Sequence, residues 1–311
     1  YILAVEEISK VCATTGVILS AHTSLAADAI NIYGTEQQKE LFLRPLAEGR
    51  KLGSFALTEP EAGTDAAGQQ SKAVLDGDEW VLNGTKIFIT NAEVADTYIV
   101  FAMTDKAQGT RGISAFIIEK ATPGFSFGPA EKKMGIRGSS TCELIFENCH
   151  IPKGNLLGRE GKGFGIAMST LDGGRIGIAA QALGIAEGAL ERTIQYVKER
   201  KQFNSPIAKY QNTQFVLAQM KTDVEATRWL VYNAALKKDS GKAFSTEAAM
   251  AKLKASEVAA EVTRECVQLH GGYGFIQGFQ VERMMRDAKI TEIYEGTSEV
   301  MKMVISGNLL K

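Results

Sequence analysis

A single carboxylate near the end of the sequence stands in a setting suited to acid–base chemistry. Residues 293–299 read IYEGTSE, which places Glu295 between a tyrosine and a glycine. One interpretation is a helix cap, in which Thr297 or Ser298 begins a last helix and Glu299 occupies its first turn. The other is that Glu295 is a base held on a tight loop over a substrate. The two interpretations are compatible, and these seven residues do not decide between them.

A loop rich in turn residues is a candidate for binding a flat or phosphorylated ligand. Residues 57–68 read LTEPEAGTDAAG and follow a short predicted strand, LGSFA. Thr58, Thr64 and several backbone amides could hydrogen-bond a heterocycle or a phosphate. A plain surface turn explains the same composition, because Pro, Gly, Thr and Asp are common turn residues.

A glycine-rich stretch, QLHGGYGFIQG at residues 268–278, follows a predicted helix. A helix C-cap followed by a bend would explain the glycines. A functional interpretation is that the backbone approaches a pyrophosphate closely there. The spacing is neither GxGxxG nor that of a P-loop, so no standard nucleotide motif applies.

Two further segments place charges where they could meet an anion. In LDGGRIG, Asp172 and Arg175 lie one helical turn apart. They could form an ordinary ion pair worth ~0.3 kcal/mol, or face a ligand beside two small glycines. In ERKQFNSPI, Arg200 and Lys201 end a helix, where they complement its dipole or hold an anion. We interpret RMMRDAK (283–289) as a structural salt-bridge patch.

Composition limits the classes of function. The chain has 311 residues, 45% apolar and 23% charged, with a net charge of −1, which suits two or three packed units. The sequence has no basic stripe of the kind that indicates nucleic-acid binding. Its four cysteines form no CxxC pair and its three histidines are far apart, so we expect neither disulfides nor a metal site.

The sequence contains no apolar run of the length that spans a bilayer, so we expect no membrane partner. Cysteine usage suits a reducing compartment. The bacterial cytoplasm is favoured over the mitochondrial matrix. The chain opens YILAVEEISK, without Met and already in helical rhythm, and we expect earlier residues of a domain to precede it.

Hydrophobic periodicity divides the chain into three zones. Residues 1–51 are predicted to be helical, with Thr35 and Gln38 in capping-box spacing. Residues 52–156 contain short β-rich runs, and the tripeptides DGD and NGT predict two hairpins. Residues 157–311 return to long amphipathic helices. The predicted fold is α+β, with a partial N-terminal helical domain, a central antiparallel β-barrel-like domain and a C-terminal four-helix bundle; a Rossmann sheet is disfavoured.

Taken together, the identity and order of these motifs resemble the acyl-CoA dehydrogenases, in particular the short-chain, butyryl-CoA type. The resemblance covers the whole chain and rests on ALTEPEAGTDAAG, GIRGSSTCELIFENCHIPK, STLDGGRIGIAAQALGIA, ERKQFNSPIAKYQNTQF, QLHGGYGF with VERMMRDAK, and YEGTSE. The sequence departs from the family pattern at Glu61, Gly278 and Gln280, which stand beside the motifs. The family's first helices are also absent.

The resemblance implies an FAD-dependent reaction that converts butyryl-CoA to crotonyl-CoA. Glu295 matches the base that removes the α-proton, and the N5 atom of FAD accepts the β-hydride. The Glu295 N–H, with a flavin ribityl hydroxyl, would stabilise the thioester carbonyl. Some relatives carry the base near residue 174, which is glycine here. Burial is expected to raise the pKa of Glu295 toward working pH.

The resemblance also implies roles for other residues. The flavin would contact Leu57, Thr58, Phe88 and Thr90, and Phe88 and Thr90 would share one face of the strand KIFIT. The FAD of a neighbouring subunit would contact Arg200, Gln211, Gln268, Gly271 and Gly272. The flavin nucleotide would contact Thr297 and Glu299. The acyl-CoA would contact Thr64, Asp172, Arg175 and Gly296.

Cross-subunit contacts would require at least a homodimer, and the family's tetramer, a dimer of dimers, is expected. The expected electron acceptor is an electron-transferring flavoprotein. Two alternatives stay open: an acyl-CoA oxidase on the same scaffold, and a non-catalytic relative that binds acyl-CoA. CATTGVILSAHTSL lacks the arginine of glutaryl-type relatives, so a dicarboxylyl substrate is disfavoured.

Overall fold

A computed structural model describes residues 1–310 of the chain. These residues form two compact units. The first comprises Tyr1–Val17, Lys133–Arg137 and the chain from Arg175 onward, and the second comprises Ile18–Lys132 and Gly138–Gly174. The predicted three-domain division, with boundaries after residues 51 and 156, stays a prediction. No helix within residues 1–310 has the length and apolar character needed to cross a bilayer.

The N-terminal zone is helical, as predicted. Its helices are α1 (Ile2–Val11), α2 (Ala13–Ser20), α3 (Asp28–Tyr33), α4 (Glu36–Gln38) and α5 (Arg44–Ala47), with π-helical turns at Ala21–Ala27 and Lys39–Leu43. The predicted capping box is confirmed at α4. Thr35 Oγ1 accepts from the Gln38 N–H, and Gln38 Oε1 accepts from the Thr35 N–H. This local pairing satisfies two donors that a helix start otherwise leaves unpaired.

The central zone forms an eight-stranded sheet. Its strands are β1 (Gly53–Ala56), β2 (Lys72–Asp76), β3 (Glu79–Thr90), β4 (Thr97–Met103), β5 (Ile113–Glu119), β6 (Phe125–Phe127), β7 (Thr141–Pro152) and β8 (Leu156–Leu157). The strand path is β6-β7-β3-β2-β4-β5-β8, and β1 pairs with β4.

The central β domain is confirmed, but the sheet is mixed and open, not wholly antiparallel or closed into a barrel. Strand β4 pairs in parallel with both β1 and β2. Parallel strands need a long connection, because a tight hairpin can join only antiparallel strands, and the chain between β1 and β4 is long enough to provide one.

One of the two predicted hairpins is confirmed and the other is wrong. The tripeptide DGD joins β2 to β3, with Asp76 opposite Glu79. The tripeptide NGT lies inside β3, where the register shifts between Leu82 and Gly84. Gly84 has φ +149°, and a Cβ placed on it would lie 2.2 Å from Ser71 Oγ. The glycine therefore marks a bulge and a close approach of two strands instead of a turn.

After Thr97, the sequence of strand β4, TYIVFAM, consists of apolar and aromatic residues. Tyr98 and Val100 belong to one buried cluster of the sheet, while Ile99 and Phe101 belong to another. Both faces of the strand are thus covered by core, and a strand buried on both sides does not alternate apolar and polar residues.

The C-terminal zone is helical, as predicted. Its helices are α6 (Gly163–Glu199), α7 (Gln211–Asp239), α8 (Ser245–His270), α9 (Gly272–Phe275), α10 (Val281–Lys289) and α11 (Ser298–Leu309), and a small hairpin pairs β9 (Lys201–Gln202) with β10 (Ser205–Pro206). Helix α8 packs against α7, α10 and α11. The salt-bridge patch on α10 is confirmed, since Arg286 Nε lies 2.7 Å from Glu282 Oε2. The α+β class and the helical C-terminal domain are therefore confirmed.

Candidate active site

The segment that carries Glu295 connects a 3₁₀ turn, Ile290–Glu292, to α11. Thr297 caps α11, and its Oγ1 accepts from the Val300 N–H at 3.4 Å. The helix-cap interpretation of this segment is therefore confirmed. It accounts for Thr297 and leaves Glu295 unexplained, because Glu295 lies two residues before the cap.

The backbone at Glu295 is held in a strained conformation. Glu295 has φ +54° and Gly296 has φ +104°, and the left-handed region is disfavoured for a residue with a Cβ. Two cationic side chains bind the carbonyls of these residues. Arg175 Nε, on α6, donates to the Glu295 carbonyl at 3.2 Å, and Lys252 Nζ, on α8, donates to the Gly296 carbonyl at 2.6 Å. Contacts from two helices thus fix a loop that the backbone alone would not favour.

The carboxyl group of Glu295 is buried and incompletely paired. Its Oε2 atom accepts no hydrogen bond among residues 1–310. Burial raises the pKa of Glu295 to about 7, although the charges of Lys252 and Arg175 act in the opposite direction. A carboxyl group with a pKa near neutrality can take up and release a proton at working pH.

The residue before Glu295 anchors the same loop to α6. The Tyr294 hydroxyl donates to Gln181 Oε1, and Gln181 Nε2 donates to the Ala13 carbonyl at 2.9 Å. Burial raises the pKa of Tyr294 well above its ordinary value, and the neighbouring Glu295 charge acts in the same direction. Tyr294 is therefore a neutral anchor and not a second base.

Four of the predicted cofactor contacts line one cavity of about 580 Å³ in the first unit. They are Arg200, Gln268, Gly271 and Gly272. The Arg200 guanidinium lies over the Tyr273 ring, 5.1 Å from its centroid. Gly271 ends α8 with φ +60° and leads directly into α9, so both interpretations of the glycine-rich stretch are compatible with its geometry. Gln211 is exposed at the first position of α7 and is not among the residues that line this cavity.

The loop LTEPEAGTDAAG lies in the second unit and is held by a buried lysine. Leu57 is buried, Thr58 is half-buried and Thr64 is exposed. Lys86 Nζ, on β3, donates to the Leu57 carbonyl at 3.1 Å and to Glu59 Oε1 at 2.7 Å. The loop is therefore fixed at its beginning, while Thr64 stays accessible.

Phe88 lies at an irregularity of β3, so the shared face proposed for Phe88 and Thr90 does not follow from a regular strand and stays a prediction. Strand β3 shifts register between Lys86 and Ile89, and Phe88 has φ +57°. The bulge inserts one residue, which breaks the two-residue period. Phe88 is nevertheless 62% exposed and Thr90 is half-buried, and Ile89 between them is buried. Both side chains remain accessible to a ligand.

The remaining predicted residues lie at the ends or sides of helices. Asp172 and Arg175 are one turn apart on α6, half-buried and buried respectively. Glu299 occupies the first turn of α11 and is exposed. Hydrogen bonds from its own backbone N–H and from Thr297 lower the pKa of Glu299. The helix start therefore favours its charged form.

Sequence reasoning missed the two buried lysines, Lys86 and Lys252, which hold the two candidate loops. Both are fully buried. Lys252 lies among the buried alanines of α8, and Lys86 takes one of the buried positions of β3, where the other buried residues are apolar. A lysine on the apolar face of an element is the signal that could have found them, because such a residue needs a polar partner from elsewhere in the fold.

Comparisons with known proteins identify the family of the chain. Three family models match the chain: the acyl-CoA dehydrogenase N-terminal domain at residues 1–50, its middle domain at 54–149 and its C-terminal domain at 161–310. A short-chain specific acyl-CoA dehydrogenase of Clostridium acetobutylicum is 61% identical over 100% of this chain and 82% of that relative.

Solved structures give the same result. The structure of butyryl-CoA dehydrogenase from Megasphaera elsdenii matches 100% of this chain and 82% of its own, with a TM-score of 0.99 and 59% identity. A structure described as that of the electron transferring flavoprotein of Acidaminococcus fermentans contains a chain with a TM-score of 1.00 and 61% identity, matched over 100% of this chain and 82% of that one. This chain belongs to the acyl-CoA dehydrogenase family, whose members are FAD-dependent oxidoreductases.

Proposed function

We propose that the protein dehydrogenates short-chain acyl-CoA thioesters, converting butyryl-CoA to crotonyl-CoA, with Glu295 as the base that removes the α-proton. The observation that carries this proposal is the buried, unpaired Oε2 of Glu295 in a carboxyl group whose pKa is about 7. The short-chain preference is supported by the Clostridium acetobutylicum and Megasphaera elsdenii relatives.

The residues present fit FAD. An accessible aromatic ring at Phe88, the half-buried Thr58 and the cavity beside Arg200 offer apolar, hydrogen-bonding and cationic contacts of the kinds a flavin and a pyrophosphate require. The buried Ser298 Oγ accepts and donates no hydrogen bond among residues 1–310 and could serve a ligand at the start of α11. We propose flavin contacts for Leu57, Thr58, Phe88, Thr90, Thr297 and Glu299. When bound, FAD supplies the hydride acceptor.

The role proposed for Glu295 follows from the weak acidity of the α-carbon. The carboxylate must be desolvated enough to be a strong base, yet ionised when substrate arrives, and a pKa near neutrality meets both conditions. Oε2 is the oxygen proposed to take the proton, since it accepts no hydrogen bond from the described residues 1–310.

Substrate binding is proposed for Thr64, Asp172, Arg175 and Gly296. Gly296 supports this role because its φ of +104° favours glycine, and a residue without a Cβ lets the backbone approach a ligand closely. Arg175 holds the Glu295 carbonyl. If Arg175 also contacts the acyl-CoA, binding of the acyl-CoA would affect the position of Glu295.

Reduced enzyme is proposed to pass its electrons to an electron-transferring flavoprotein, and the active form is proposed to be a homotetramer built as a dimer of dimers. The Acidaminococcus fermentans structure supports the first proposal. Exposed apolar side chains on α7 and α11, among them Trp229 at 71% and Met303 at 68%, support the second. In a dimer, Arg200, Gln211, Gln268, Gly271 and Gly272 would contact the cofactor of the neighbouring subunit. Light scattering of the FAD-loaded protein tests the assembly, and a monomeric mass with full FAD content would contradict it.

The decisive experiment on the reaction is Glu295→Gln, which keeps the shape of the side chain and removes the base. We expect FAD to remain bound and the anaerobic bleaching of the flavin by butyryl-CoA to slow by about 10³-fold. Glu261→Gln, on the exposed side of α8, is the matched control and should bleach at the normal rate. Near-normal bleaching in Glu295→Gln would remove Glu295 from the role.

Substrate preference is tested by comparing kcat/KM for butyryl and octanoyl thioesters. A higher value for octanoyl-CoA would contradict the short-chain assignment. Oxygen reactivity is tested in the same preparation. Hydrogen peroxide formed at the rate of turnover would favour the oxidase alternative, and a colourless protein that binds acyl-CoA would favour the non-catalytic one.

A further inference from the structure

A fully buried lysine lies beside the loop that carries Glu295. Lys252, in the middle of α8, has no exposed surface, and its Nζ donates to the Gly296 carbonyl at 2.6 Å. Its buried helix neighbours are mostly small alanines, with one serine: Ala248, Ala249, Ala251, Ala255 and Ser256. A buried ammonium group is costly in such a setting unless it is hydrogen-bonded and lies near an opposite charge.

The charged groups around Lys252 and Glu295 come from three elements. Arg175 on α6 and Lys252 on α8 both act on Glu295, and Glu292 and Glu299 flank it on the chain. Tyr294, the neighbouring phenol, stays neutral. Burial lowers the pKa of Lys252 to about 8, with Glu295 opposing that shift most strongly. Lys252 is therefore predominantly an ammonium group at neutral pH.

We propose that Lys252 is a positioning residue for Glu295, whose ammonium group holds the Gly296 carbonyl and whose charge favours the carboxylate form of the neighbouring side chain. The hydrogen bond holds the peptide between Gly296 and Thr297, and therefore restricts the backbone next to Glu295. The charge opposes the effect of burial, which would otherwise leave Glu295 protonated and inactive at neutral pH. This inference rests on the proposed role of Glu295 as the base.

Lys252 and Arg175 differ in a way that makes Lys252 the better test of this idea. Arg175 is also proposed to contact the acyl-CoA, so its replacement would change binding and positioning together. Lys252 does not line the cavity beside Arg200 and is not among the predicted ligand contacts. A change at Lys252 should therefore act on the rate step and its pH dependence with little effect on KM.

The experiment compares Lys252→Gln, which keeps a hydrogen-bond donor and loses the charge, with Lys252→Met, which loses both, and Lys252→Arg, which keeps the charge. The rate of anaerobic flavin reduction by butyryl-CoA is measured against pH. We expect the ascending limb to move up by about one pH unit in the Gln and Met variants, with a maximal rate lower in Met than in Gln. Arg should keep the normal midpoint. Lys254→Gln, two residues along α8, is the matched control and should leave the profile unchanged.

A second readout does not depend on turnover. The carbonyl-stretch band of the protonated Glu295 carboxyl, assigned by its loss in Glu295→Gln, is titrated by infrared difference spectroscopy in substrate-free protein. Its midpoint should rise in Lys252→Gln and stay unchanged in Lys252→Arg. Identical midpoints and rates in Lys252→Gln and the parent protein would overturn the proposal. A loss of folding in both neutral variants would also overturn it, because Lys252 would then have a structural role.

The outcomes separate this inference from the proposed function. If Glu295→Gln keeps normal flavin reduction, the proposed base is wrong and Lys252 positions nothing catalytic. If Glu295→Gln is inactive while the Lys252 variants match the parent protein in both readouts, only the role of Lys252 is wrong.

Discussion

The ammonium nitrogen of Lys86 lies 2.7 Å from Oε1 of Glu59, and the two side chains are 0% and 4% exposed. Lys86 also donates to Gln69 Oε1 at 2.9 Å, and the Glu59 carboxylate accepts from the backbone N–H groups of Gln70 and Ser71. This network ties both ends of the loop LTEPEAGTDAAG to β3. Burial alone would raise the pKa of Glu59, but the charge and hydrogen bond of Lys86 lower it overall, so the pair is ionic.

Removing one partner of the Lys86–Glu59 pair should lower the free energy of unfolding strongly, whereas removing both partners should lower it much less. Lys86→Met leaves a buried carboxylate unpaired, which is expected to lower the free energy of unfolding by about 3–5 kcal/mol. The double variant Lys86→Met/Glu59→Leu should recover much of that loss. Urea denaturation followed by circular dichroism measures both.

The matched control for that measurement is the exposed pair between Lys51 and Glu119, which lie 2.8 Å apart with 33% and 49% of their side chains exposed. Lys51→Met should change the free energy of unfolding by less than about 1 kcal/mol. Equal losses at the buried and the exposed pair would contradict the importance assigned to Lys86.

Activity should fall on the acid side of neutrality. Glu295 must be a carboxylate to accept a proton, and its pKa is raised to about 7 by burial. Below that pH, kcat/KM for butyryl-CoA should fall roughly tenfold per pH unit, and above it the value should level off. Initial rates in buffers of constant ionic strength measure the profile. A level profile down to the ordinary pKa of a glutamic acid would contradict the buried environment described for Glu295.

The features that could be predicted from the sequence are those that depend on near neighbours in the chain. The capping box of Thr35 and Gln38 and the cap at Thr297 involve residues three apart, and both are confirmed. The DGD hairpin is similarly local. Such pairings need no knowledge of what the rest of the chain does.

The features that sequence reasoning missed depend on contacts between distant residues. The tripeptide NGT resembles a hairpin turn, but Gly84 lies inside β3 and is approached closely by Ser71, the residue before β2. Lys252 and Gly296 are 44 residues apart in sequence, and the residues next to either one do not predict their hydrogen bond. The bulge at Phe88 likewise results from pairing with β7. Tertiary contact overrides local preference at these positions.

Gly296 should tolerate no side chain. Its φ of +104° disfavours any residue with a Cβ, and that Cβ would lie 2.6 Å from Met301 Cε and 3.3 Å from Val300 Cγ1. Gly296→Ala should therefore displace the Glu295 loop and reduce kcat by about 10²-fold, the penalty for a displaced catalytic group. Gly278→Ala is the matched control, because a Cβ at Gly278 meets nothing within 4 Å. Equal kcat values for the two variants would show that the loop accommodates the methyl group without displacing Glu295.

Arg200 should contribute to retention of FAD. Its guanidinium lies over the Tyr273 ring and lines the cavity of about 580 Å³ that contains Gln268, Gly271 and Gly272. A fixed guanidinium is well suited to a pyrophosphate, and a charge-assisted hydrogen bond of this kind is worth about 1.5–3 kcal/mol. Arg200→Gln should therefore raise the Kd for FAD by about tenfold or more, measured by flavin fluorescence on release.

Lys201→Gln, at the adjacent exposed position, is the matched control. If both variants kept the parent affinity, the cavity beside Arg200 would not be part of the cofactor site. A parallel loss in Lys201→Gln would mean that general positive charge at the end of α6, not the geometry of Arg200, attracts the cofactor.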